Sequence, residues 1–311
     1  MNINNQEIKK GRQTKINLNV SRLSSKEIVD IPVIVHRSTK PGPNVLLMAG
    51  MHGDEICGVE IIDRLIKSKR LKPLKGAIII VPTLNQFGYQ KQQRYAQDGQ
   101  DLNRVFPGNK NGRTADKIAD KFIKTIFPLI DFGIDFHSGT GGRTNYPQVR
   151  CKINNEFEFE LAKKLNLPFI VNANLRSGSL RKIATQKKKP ILLFEGGQSL
   201  AKDEFAIETA VNGTINLLET LRIIKPQKKN IEPIQPIVMS SSKWIRAEKS
   251  GILKSNFEYG QYVKKGVILG IIENAKGEKF KIKNDQSGYI IGRSTSPLVN
   301  YDDPIFHIGY K

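Results

Sequence analysis

The fold of this chain is decided by the stretch Ala49-Gly-Met-His-Gly-Asp-Glu-Ile-Cys-Gly58. The stretch follows the apolar run Val45–Ala49 and precedes a segment with helical periodicity, a pattern that predicts a strand turning into a helix. His52 and Glu55 lie three residues apart in this turn. An imidazole nitrogen and a carboxylate at that spacing can bind one metal ion, so the stretch predicts part of a metal site at a strand end.

A second histidine has a similar context. His137 lies in Asp135-Phe-His-Ser-Gly139, after another apolar, β-prone run, so it can return to the same sheet edge. Two nitrogens and one carboxylate leave the fourth position of a tetrahedral zinc ion open for water, as in catalytic sites. His52, Glu55 and His137 therefore predict a Zn²⁺-dependent hydrolase. Cys57, within the predicted helix, is expected to be a small buried residue rather than a ligand.

Apolar runs alternate with helical segments through much of the chain. Strands are predicted at Val45–Ala49, Ala77–Val81, Phe132–Phe136, Pro168–Val171 and Ile191–Phe194. Helices are predicted at Asp54–Lys67, Thr114–Ile126, Glu156–Leu165 and Asp203–Leu221. This alternation predicts an α/β fold in which helices flank a sheet and site residues follow the strand ends.

The pattern changes after about residue 225. The segment from Lys225 to Pro236 contains three prolines and is predicted to be a linker. Beyond it, short β-prone pieces separated by glycines predict a small all-β unit. We therefore expect a zinc hydrolase catalytic domain at residues 1–230 and a C-terminal β domain at residues 231–311.

The polar stretch from Arg94 to Gly108 supplies candidates for substrate binding. Asn103 and Arg104 precede an apolar pair, and a guanidinium beside an amide suits fork-like binding of a carboxylate. Arg94 would stabilise a developing oxyanion if it contacts the scissile carbonyl. A polar surface loop is the alternative interpretation of this stretch.

Glu195 ends the apolar run Pro190-Ile-Leu-Leu-Phe-Glu195 and precedes two glycines. A carboxylate in this position is typical of a general base acting on metal-activated water, and the alternative is an acid that caps the next helix. Asp54 is expected to cap the first helix or to hold a ligand histidine. His36 and His307 have no comparable context and are expected to be structural.

Composition limits the partners. The formal net charge is +21, but the basic residues are mostly scattered along the chain. This favours a Lys-rich surface that attracts a small anionic substrate over a nucleic-acid interface, which needs basic residues on one face. No stretch approaches the roughly 20 apolar residues of a membrane span, and no apolar signal segment is present at the N-terminus. A cytoplasmic protein without a disulfide framework is expected, and a homo-oligomer is left open.

Four motifs follow one another along the chain. They are His52-Gly-Asp-Glu55, Asp101-Leu-Asn-Arg104, Asp135-Phe-His137-Ser-Gly and Phe194-Glu195-Gly-Gly. From about residue 40 onward the chain resembles the succinylglutamate desuccinylase/aspartoacylase family, which has a zinc carboxypeptidase-like fold. The resemblance implies zinc ligands at His52, Glu55 and His137, a general acid/base at Glu195, carboxylate binding by Asn103 and Arg104, and carbonyl polarisation by Arg94.

The C-terminal residues carry a second resemblance. The segments from Gly251 to Gly270 and from Ser287 to Ile305 look like the two halves of a biotinyl/lipoyl-type barrel. The residues around the expected hairpin do not match a lipoyl or biotinyl signature well. We therefore expect this small barrel-like domain to form a lid or wall beside the zinc site rather than to act as a carrier.

Together these features predict a zinc-dependent deacylase. It would hydrolyse the amide bond of an N-acyl amino acid or a related small carboxylate, with metal-activated water and a Glu general base. A metallocarboxypeptidase or an esterase that uses the same site is one alternative. A non-catalytic polyanion-binding protein is the other, and it predicts nucleic-acid binding that weakens steeply with salt.

Overall fold

The structure is a computed structural model that describes residues 1–22, 28–227 and 234–311. The predicted domain boundary between residues 230 and 231 lies outside these ranges, together with the middle of the predicted linker. Within the described ranges, no helix has the length and apolar character needed to cross a bilayer.

Helices and strands alternate along the first two thirds of the chain, and strands follow. The helices of the described residues are α1 (Ile56–Lys67), α2 (Gln86–Gln90), α3 (Thr114–Thr125), α4 (Glu156–Lys164), α5 (Leu180–Gln186) and α6 (Glu204–Thr220), with short 3-10 turns at Leu102–Arg104 and Phe127–Leu129. The strands are β1 (Asn2–Ile3), β2 (Gln6–Glu7), β3 (Arg12–Arg22), β4 (Ile28–Arg37), β5 (Asn44–Ala49), β6 (Ala77–Val81), β7 (Phe132–His137), β8 (Arg143–Cys151), β9 (Phe169–Asn172), β10 (Ile191–Gln198), β11 (Ile237–Met239), β12 (Ser241–Arg246), β13 (Gly251–Lys254), β14 (Tyr262–Val263), β15 (Ile268–Glu273), β16 (Lys279–Lys283), β17 (Gly288–Ser294), β18 (Leu298–Val299) and β19 (Pro304–Tyr310).

A large mixed sheet forms the centre of the molecule. Its main path runs β12-β19-β17-β8-β10-β7-β5-β6-β4-β3, and β9, β11 and β14 attach beside this path. The central strands β10, β7, β5 and β6 are parallel, whereas β8 and β4 pair antiparallel to them. A separate antiparallel sheet contains β16, β15, β13 and β18. The predicted class, a mixed α/β sheet with helices and an additional C-terminal β unit, is confirmed.

The central strands are buried on both faces. In β5, Val45 and Leu47 pack in the core that includes α1 and α6, while Leu46 and Met48 pack in the core that includes α3 and α5. Successive side chains of a strand point to opposite faces, so a strand covered on both sides is apolar throughout. Cys57 is buried in the first of these cores, as expected.

Two glycines permit the turn that follows β5. Gly50 has a φ of +65°, in the left-handed region that favours glycine. Gly53 lies against the backbone of Gly88, where an added Cβ would come within 1.8 Å of the carbonyl carbon. Because the chain turns this tightly, α1 begins only at Ile56 and the preceding residues stay at the edge of the sheet.

The C-terminal residues contribute to both sheets. β17 pairs with β8 at Gly292 and Asn145, and β19 and β12 extend the main sheet beyond β17. An added Cβ at Gly292 would come within 2.6 Å of Asn145 Oδ1, so a larger residue there would displace the Asn145 amide. The division into two domains stays a prediction.

The predicted strands and helices are present, with ends shifted by a few residues. Sequence reasoning left out β1 to β4, α2, β8 and α5. β8 brings Arg143, Asn145 and Arg150 to a cavity, which interrupts its apolar pattern. α5 is short, and its first turn is capped by Ser179, whose hydroxyl accepts a hydrogen bond from the Lys182 N–H.

Candidate metal centre and substrate cavity

The predicted site residues meet at one edge of the sheet. β10, β7 and β5 are adjacent and parallel, so their carboxyl ends share that edge. His137 ends β7 and pairs with Glu195 in β10, while His52 and Glu55 follow β5. All seven predicted site residues line one cavity of about 700 Å³.

The carboxylate of Glu55 lies between two imidazoles. Its Oε1 is 2.7 Å from His52 Nδ1, and its Oε2 is 2.7 Å from His137 Nδ1. All three side chains are buried, and one possible ligand atom from each lies within 4.8 Å of the others. We call these three residues the metal cluster, because the structure brings together the nitrogen and oxygen atoms that the spacing predicted.

Each imidazole is held from its other side by a second carboxylate. His52 Nε2 lies 3.1 Å from Asp101 Oδ1, and His137 Nε2 lies 2.9 Å from Asp135 Oδ2. A metal-binding histidine usually donates its outer N–H to such a group, which fixes its tautomer and orientation. Sequence reasoning assigned this role to neither aspartate. A signal existed for Asp135, because residues two apart in a strand face the same side.

These carboxylates favour positive charge on both imidazoles. Burial acts to lower the pKa of His137, but Asp135 and Glu55 outweigh it and raise that pKa well above its ordinary value. For His52, burial is outweighed by Glu55 and Asp101, so its pKa is also raised. Burial acts to raise the pKa of Glu55, but the two imidazoles hold it below its ordinary range. The carboxylates around the two imidazoles therefore stabilise positive charge at this site.

The donor set fits a divalent metal ion. The two Nδ1 atoms face the Glu55 oxygens, and the outer nitrogens are engaged by carboxylates that would keep the rings in place. Metal binding to such ligands releases the protons that they would otherwise hold. A cation would thus take over the charge that the protonated imidazoles supply.

Arg94 lies beside the metal cluster. Its Nε and Nη2 donate to Asp101 Oδ2 at 3.1 and 2.7 Å, and its Nη1 lies 3.5 Å from Glu55 Oε1. Burial acts to lower the pKa of Arg94, but Asp101 and Glu55 outweigh it and the net pKa is raised. The guanidinium is therefore charged and fixed close to the cluster.

Asn103 and Arg104 lie on the cavity wall in the Leu102–Arg104 turn. The Leu180 N–H donates to Asn103 Oδ1 at 3.0 Å, so the amide nitrogen is the part of Asn103 left for a ligand. Nη1 of Arg104 donates to the Asn103 carbonyl oxygen at 2.6 Å, and the Arg104 side chain is exposed. Both residues therefore present N–H donors to the cavity.

Glu195 is held at both carboxylate oxygens. Nδ2 of Asn145 donates to its Oε2 at 2.8 Å, and Nη1 of Arg150 lies 3.4 Å from its Oε1. β10 continues past Glu195, and Asp203 is the residue whose side chain caps α6. Glu195 is thus a fixed cavity residue and not a helix cap.

Asp54 has a different role from those expected. Its Oδ2 accepts hydrogen bonds from the Thr140 hydroxyl, the Gly141 N–H and the Ser199 hydroxyl. The N-cap of α1 is Glu55. The expectation that Asp54 caps α1 or holds a histidine is wrong, because its side chain turns toward the loop after β7.

Much of the cavity wall is basic. Besides Arg94 and Arg104, the lining includes the arginines Arg143, Arg150, Arg176, Arg181 and Arg246. Trp244 of β12 and His307 of β19 also line the cavity, and we call this pair the C-terminal wall. His307 was expected to be structural, yet it faces the site. These residues lie outside the sequence motifs, so no local signal identified them.

Comparison with known proteins supports the family resemblance that the four sequence motifs indicated. A sequence model of the succinylglutamate desuccinylase/aspartoacylase catalytic domain matches residues 41–221. The N-alpha-acetyl-L-2,4-diaminobutyric acid deacetylase of Halomonas elongata is 26% identical over 294 residues, which are 89% of this chain and 84% of the relative.

Solved structures share the whole fold. The product-bound ectoine utilization protein EutE from Ruegeria pomeroyi aligns with a TM-score of 0.85 at 24% identity, over 98% of both chains. An aspartoacylase family protein from Mesorhizobium loti aligns with a TM-score of 0.82 at 22% identity, over 96% of this chain and 94% of the other. At these identities the likeness establishes a common architecture.

Proposed function

The chain belongs to the succinylglutamate desuccinylase/aspartoacylase family, and from this premise we propose that it is a zinc-dependent deacylase. It would hydrolyse the amide bond of an N-acyl amino acid or a related small carboxylate. The observation that carries the proposal is the buried metal cluster, backed by two further carboxylates and adjacent to Glu195. The similarity to a deacetylase of an acetylated amino acid supports the same reaction type.

The metal cluster would hold the zinc ion through His52 Nδ1, His137 Nδ1 and the Glu55 carboxylate. When bound, zinc lowers the pKa of a coordinated water to about 7 and polarises a carbonyl oxygen. Asp101 and Asp135 would keep the two rings oriented throughout the reaction.

Glu195 would move the proton. It would accept a proton from the attacking water and deliver it to the leaving amine. Two observations support this role: the backbone of Glu195 pairs with that of His137, and Asn145 and Arg150 fix the Glu195 carboxylate in the same cavity. Arg94 would stabilise negative charge that develops on the carbonyl oxygen.

The basic wall supports a small anionic substrate. Asn103 and Arg104 would bind its carboxylate by charge-assisted hydrogen bonds. A cavity of about 700 Å³ has the size of a small-molecule site, which favours an acyl amino acid over a polyanion. A cytoplasmic location and a homo-oligomer stay predictions from the sequence.

A substrate screen tests the proposal. Zinc-loaded protein is assayed with N-acetyl and N-succinyl amino acids, including N-acetyl-2,4-diaminobutyrate, and separately with peptides and simple esters. We expect release of the free amino acid from at least one acyl amino acid, and loss of that release after chelation. Hydrolysis of peptides or esters with no acyl amino acid cleaved would overturn the proposal in favour of a carboxypeptidase or an esterase.

A further inference from the structure

Arg143 and Arg94 line the same cavity but differ in their partners. It is the first residue of β8, and its Nε donates to the Thr140 carbonyl oxygen at 2.7 Å. Within the described residues, no carboxylate lies at ion-pair distance from Arg143, whereas Arg94 is paired with Asp101 at 2.7 Å. Arg143 therefore faces the cavity as a partly buried cation whose charge is not neutralised by a direct partner.

The C-terminal wall supports this guanidinium. The Arg143 Cζ atom lies 5.8 Å from the centroid of the Trp244 ring, within the range of a cation–π contact. Trp244 in turn stacks on His307, with ring centroids 4.6 Å apart and an interplanar angle of 12°. The two rings belong to directly paired residues of β12 and β19, so strand pairing in the main sheet holds the C-terminal wall in place.

The loop that precedes Arg143 is also held by the C-terminal residues. The backbone N–H and the hydroxyl of Thr295 both donate to the Gly142 carbonyl oxygen at 2.8 Å. On the other side of the loop, the Gly141 N–H donates to Asp54. The loop that leads into Arg143 is thus held by contacts from two remote parts of the chain.

His307 adds no positive charge that would repel the Arg143 guanidinium from the C-terminal wall. Burial, followed by the charges of Arg150 and Arg176, lowers the pKa of His307 well below its ordinary value. Its Nε2 lies 3.0 Å from the Ser242 hydroxyl. The stacked pair is therefore a neutral aromatic surface on which a guanidinium can rest.

Arg143 and Arg104 lie on different elements of the cavity wall, because Arg143 begins β8 beside Trp244 whereas Arg104 lies in the Leu102–Arg104 turn. Burial and then the charge of Arg94 lower the pKa of Arg143. Burial and then the charge of Arg104 lower the pKa of Arg176, and both Arg94 and Glu195 act on each of these arginines. The basic groups of the cavity wall are thus held by separate elements of the fold.

We propose that Arg143, carried on the ring of Trp244, binds an anionic group of the substrate at a second position in the cavity, apart from Arg104. A guanidinium has five N–H donors in a planar fork, and among the described residues the hydrogen bond of Arg143 uses Nε. A guanidinium held by the Thr140 carbonyl oxygen and by the Trp244 ring is already oriented, so it loses little freedom when it binds a carboxylate. The inference rests on the proposed function, since it makes Arg143 a specificity-determining residue for acyl amino acids.

Binding of simple acids tests this inference without turnover. Zinc-loaded protein is titrated calorimetrically with succinate, glutarate and adipate, and with butyrate, valerate and hexanoate, which replace one carboxylate by a methyl group. We expect at least one diacid to bind more tightly than its matched monoacid. Arg143→Gln should weaken that diacid about tenfold or more and change the monoacid little, because a charge-assisted hydrogen bond is lost.

Arg246→Gln is the matched control. Arg246 also lines the cavity, but it is exposed and its Nη1 lies 3.4 Å from Asp302 Oδ2. Arg246→Gln therefore removes one positive charge from the cavity, as Arg143→Gln does, but that charge already has a carboxylate partner. Trp244→Phe should keep most of the diacid preference, because it retains an aromatic face, and Trp244→Leu should lose much of it. A correctly folded Arg143→Gln protein with an unchanged preference, or equal losses in Arg143→Gln and Arg246→Gln, would overturn the inference.

The outcome is separable from that of the proposed function. The six acids contain no amide bond, so their binding does not depend on hydrolysis. A protein that cleaves no acyl amino acid but shows the Arg143-dependent preference refutes the deacylase proposal alone. If the protein cleaves an acyl amino acid but its diacid affinity is unchanged in Arg143→Gln, the result refutes this inference alone.

Discussion

The metal cluster and the C-terminal wall, although they line the same cavity, differ in how their polar groups are satisfied. In the cluster, His52 and Glu55 are each 3% exposed, and every imidazole nitrogen lies within 3.1 Å of a carboxylate oxygen. At the C-terminal wall, Arg143 rests on Trp244 without a carboxylate partner among the described residues. Under the proposed function, the fixed, buried charges would serve the chemistry, and the less neutralised wall would serve recognition.

This difference orders the expected effects of substitution. Charges in a buried, dry environment interact more strongly than charges close to water, and their partners lose more when one is removed. We therefore expect the largest effects in the metal cluster, smaller ones at residues that contact only the substrate, and the smallest where the C-terminal residues are tethered to the rest of the fold.

Removal of a ligand histidine should have the largest effect. His137→Ala and His52→Ala should each lose stoichiometric metal and all measurable hydrolysis, because two ligands cannot replace three in a catalytic site. Metal content after gel filtration and circular dichroism of the same samples check this. Full metal occupancy in both variants, with the fold intact, would show that the cluster is not the metal site.

Asp135→Asn should weaken metal binding less than the removal of a ligand histidine does. The substitution keeps the shape of the side chain but removes the charge that faces His137 Nε2. Loss of such an outer partner typically weakens metal affinity by about 10- to 100-fold, so the variant should bind metal but release it at lower chelator concentrations. A chelator titration that matches the wild type would show that Asp135 does not support the metal ligand.

Glu195→Gln should come next in magnitude. The amide is nearly isosteric and can still contact Asn145 or Arg150, but it cannot accept the proton of water. We expect kcat to fall by about 10²- to 10⁴-fold, the usual contribution of a general base, with metal content unchanged. Near-normal turnover would mean that another group carries the proton.

Arg104→Ala should have a smaller effect that depends on the substrate. Loss of a charge-assisted hydrogen bond costs about 1.5–3 kcal/mol, which corresponds to roughly 10- to 150-fold in kcat/KM. The loss should appear with acyl amino acids and be much smaller with their neutral carboxamides. Equal losses with the two substrate types would make Arg104 structural.

Tyr259→Phe should have the smallest effect, on stability alone. The Tyr259 hydroxyl donates to Asp203 Oδ2 at 3.1 Å and so ties the C-terminal residues to the start of α6. Loss of one such hydrogen bond should lower the free energy of unfolding by about 0.5–1.5 kcal/mol, measured by urea denaturation at pH 7. Activity at saturating substrate should stay close to that of the wild type.

The same variant has a pH signature. Burial and then Asp203 raise the pKa of Tyr259 from 10.0 to about 12. Because the folded pKa is the higher one, the contribution of Tyr259 is complete below pH 10 and is lost as the pH rises through about 12. The stability difference between wild type and Tyr259→Phe should therefore shrink over this range, and a difference that grows would contradict the assignment.

Sequence reasoning located the central strands, four of the helices and the metal cluster. It succeeded at His52 and Glu55 because a short motif at a strand end fixes their spacing, and at His137 because a parallel strand returns to the same edge. It failed for Asp54, whose direction depends on a loop that no local pattern describes. It also missed β8, where residues that face the cavity break the apolar periodicity.

The sequence by itself determined the α/β class, the family and the donor set of the metal cluster, since these follow from periodicity and from residues close together in the chain. Only the tertiary structure decided that Asp101 holds His52 and which arginines share the cavity. Asp101 meets His52 across 49 residues, and Arg143 meets Trp244 only because distant strands join one sheet. Contacts of this kind depend on strand pairing and packing between remote segments, and a single sequence contains no local signal for them.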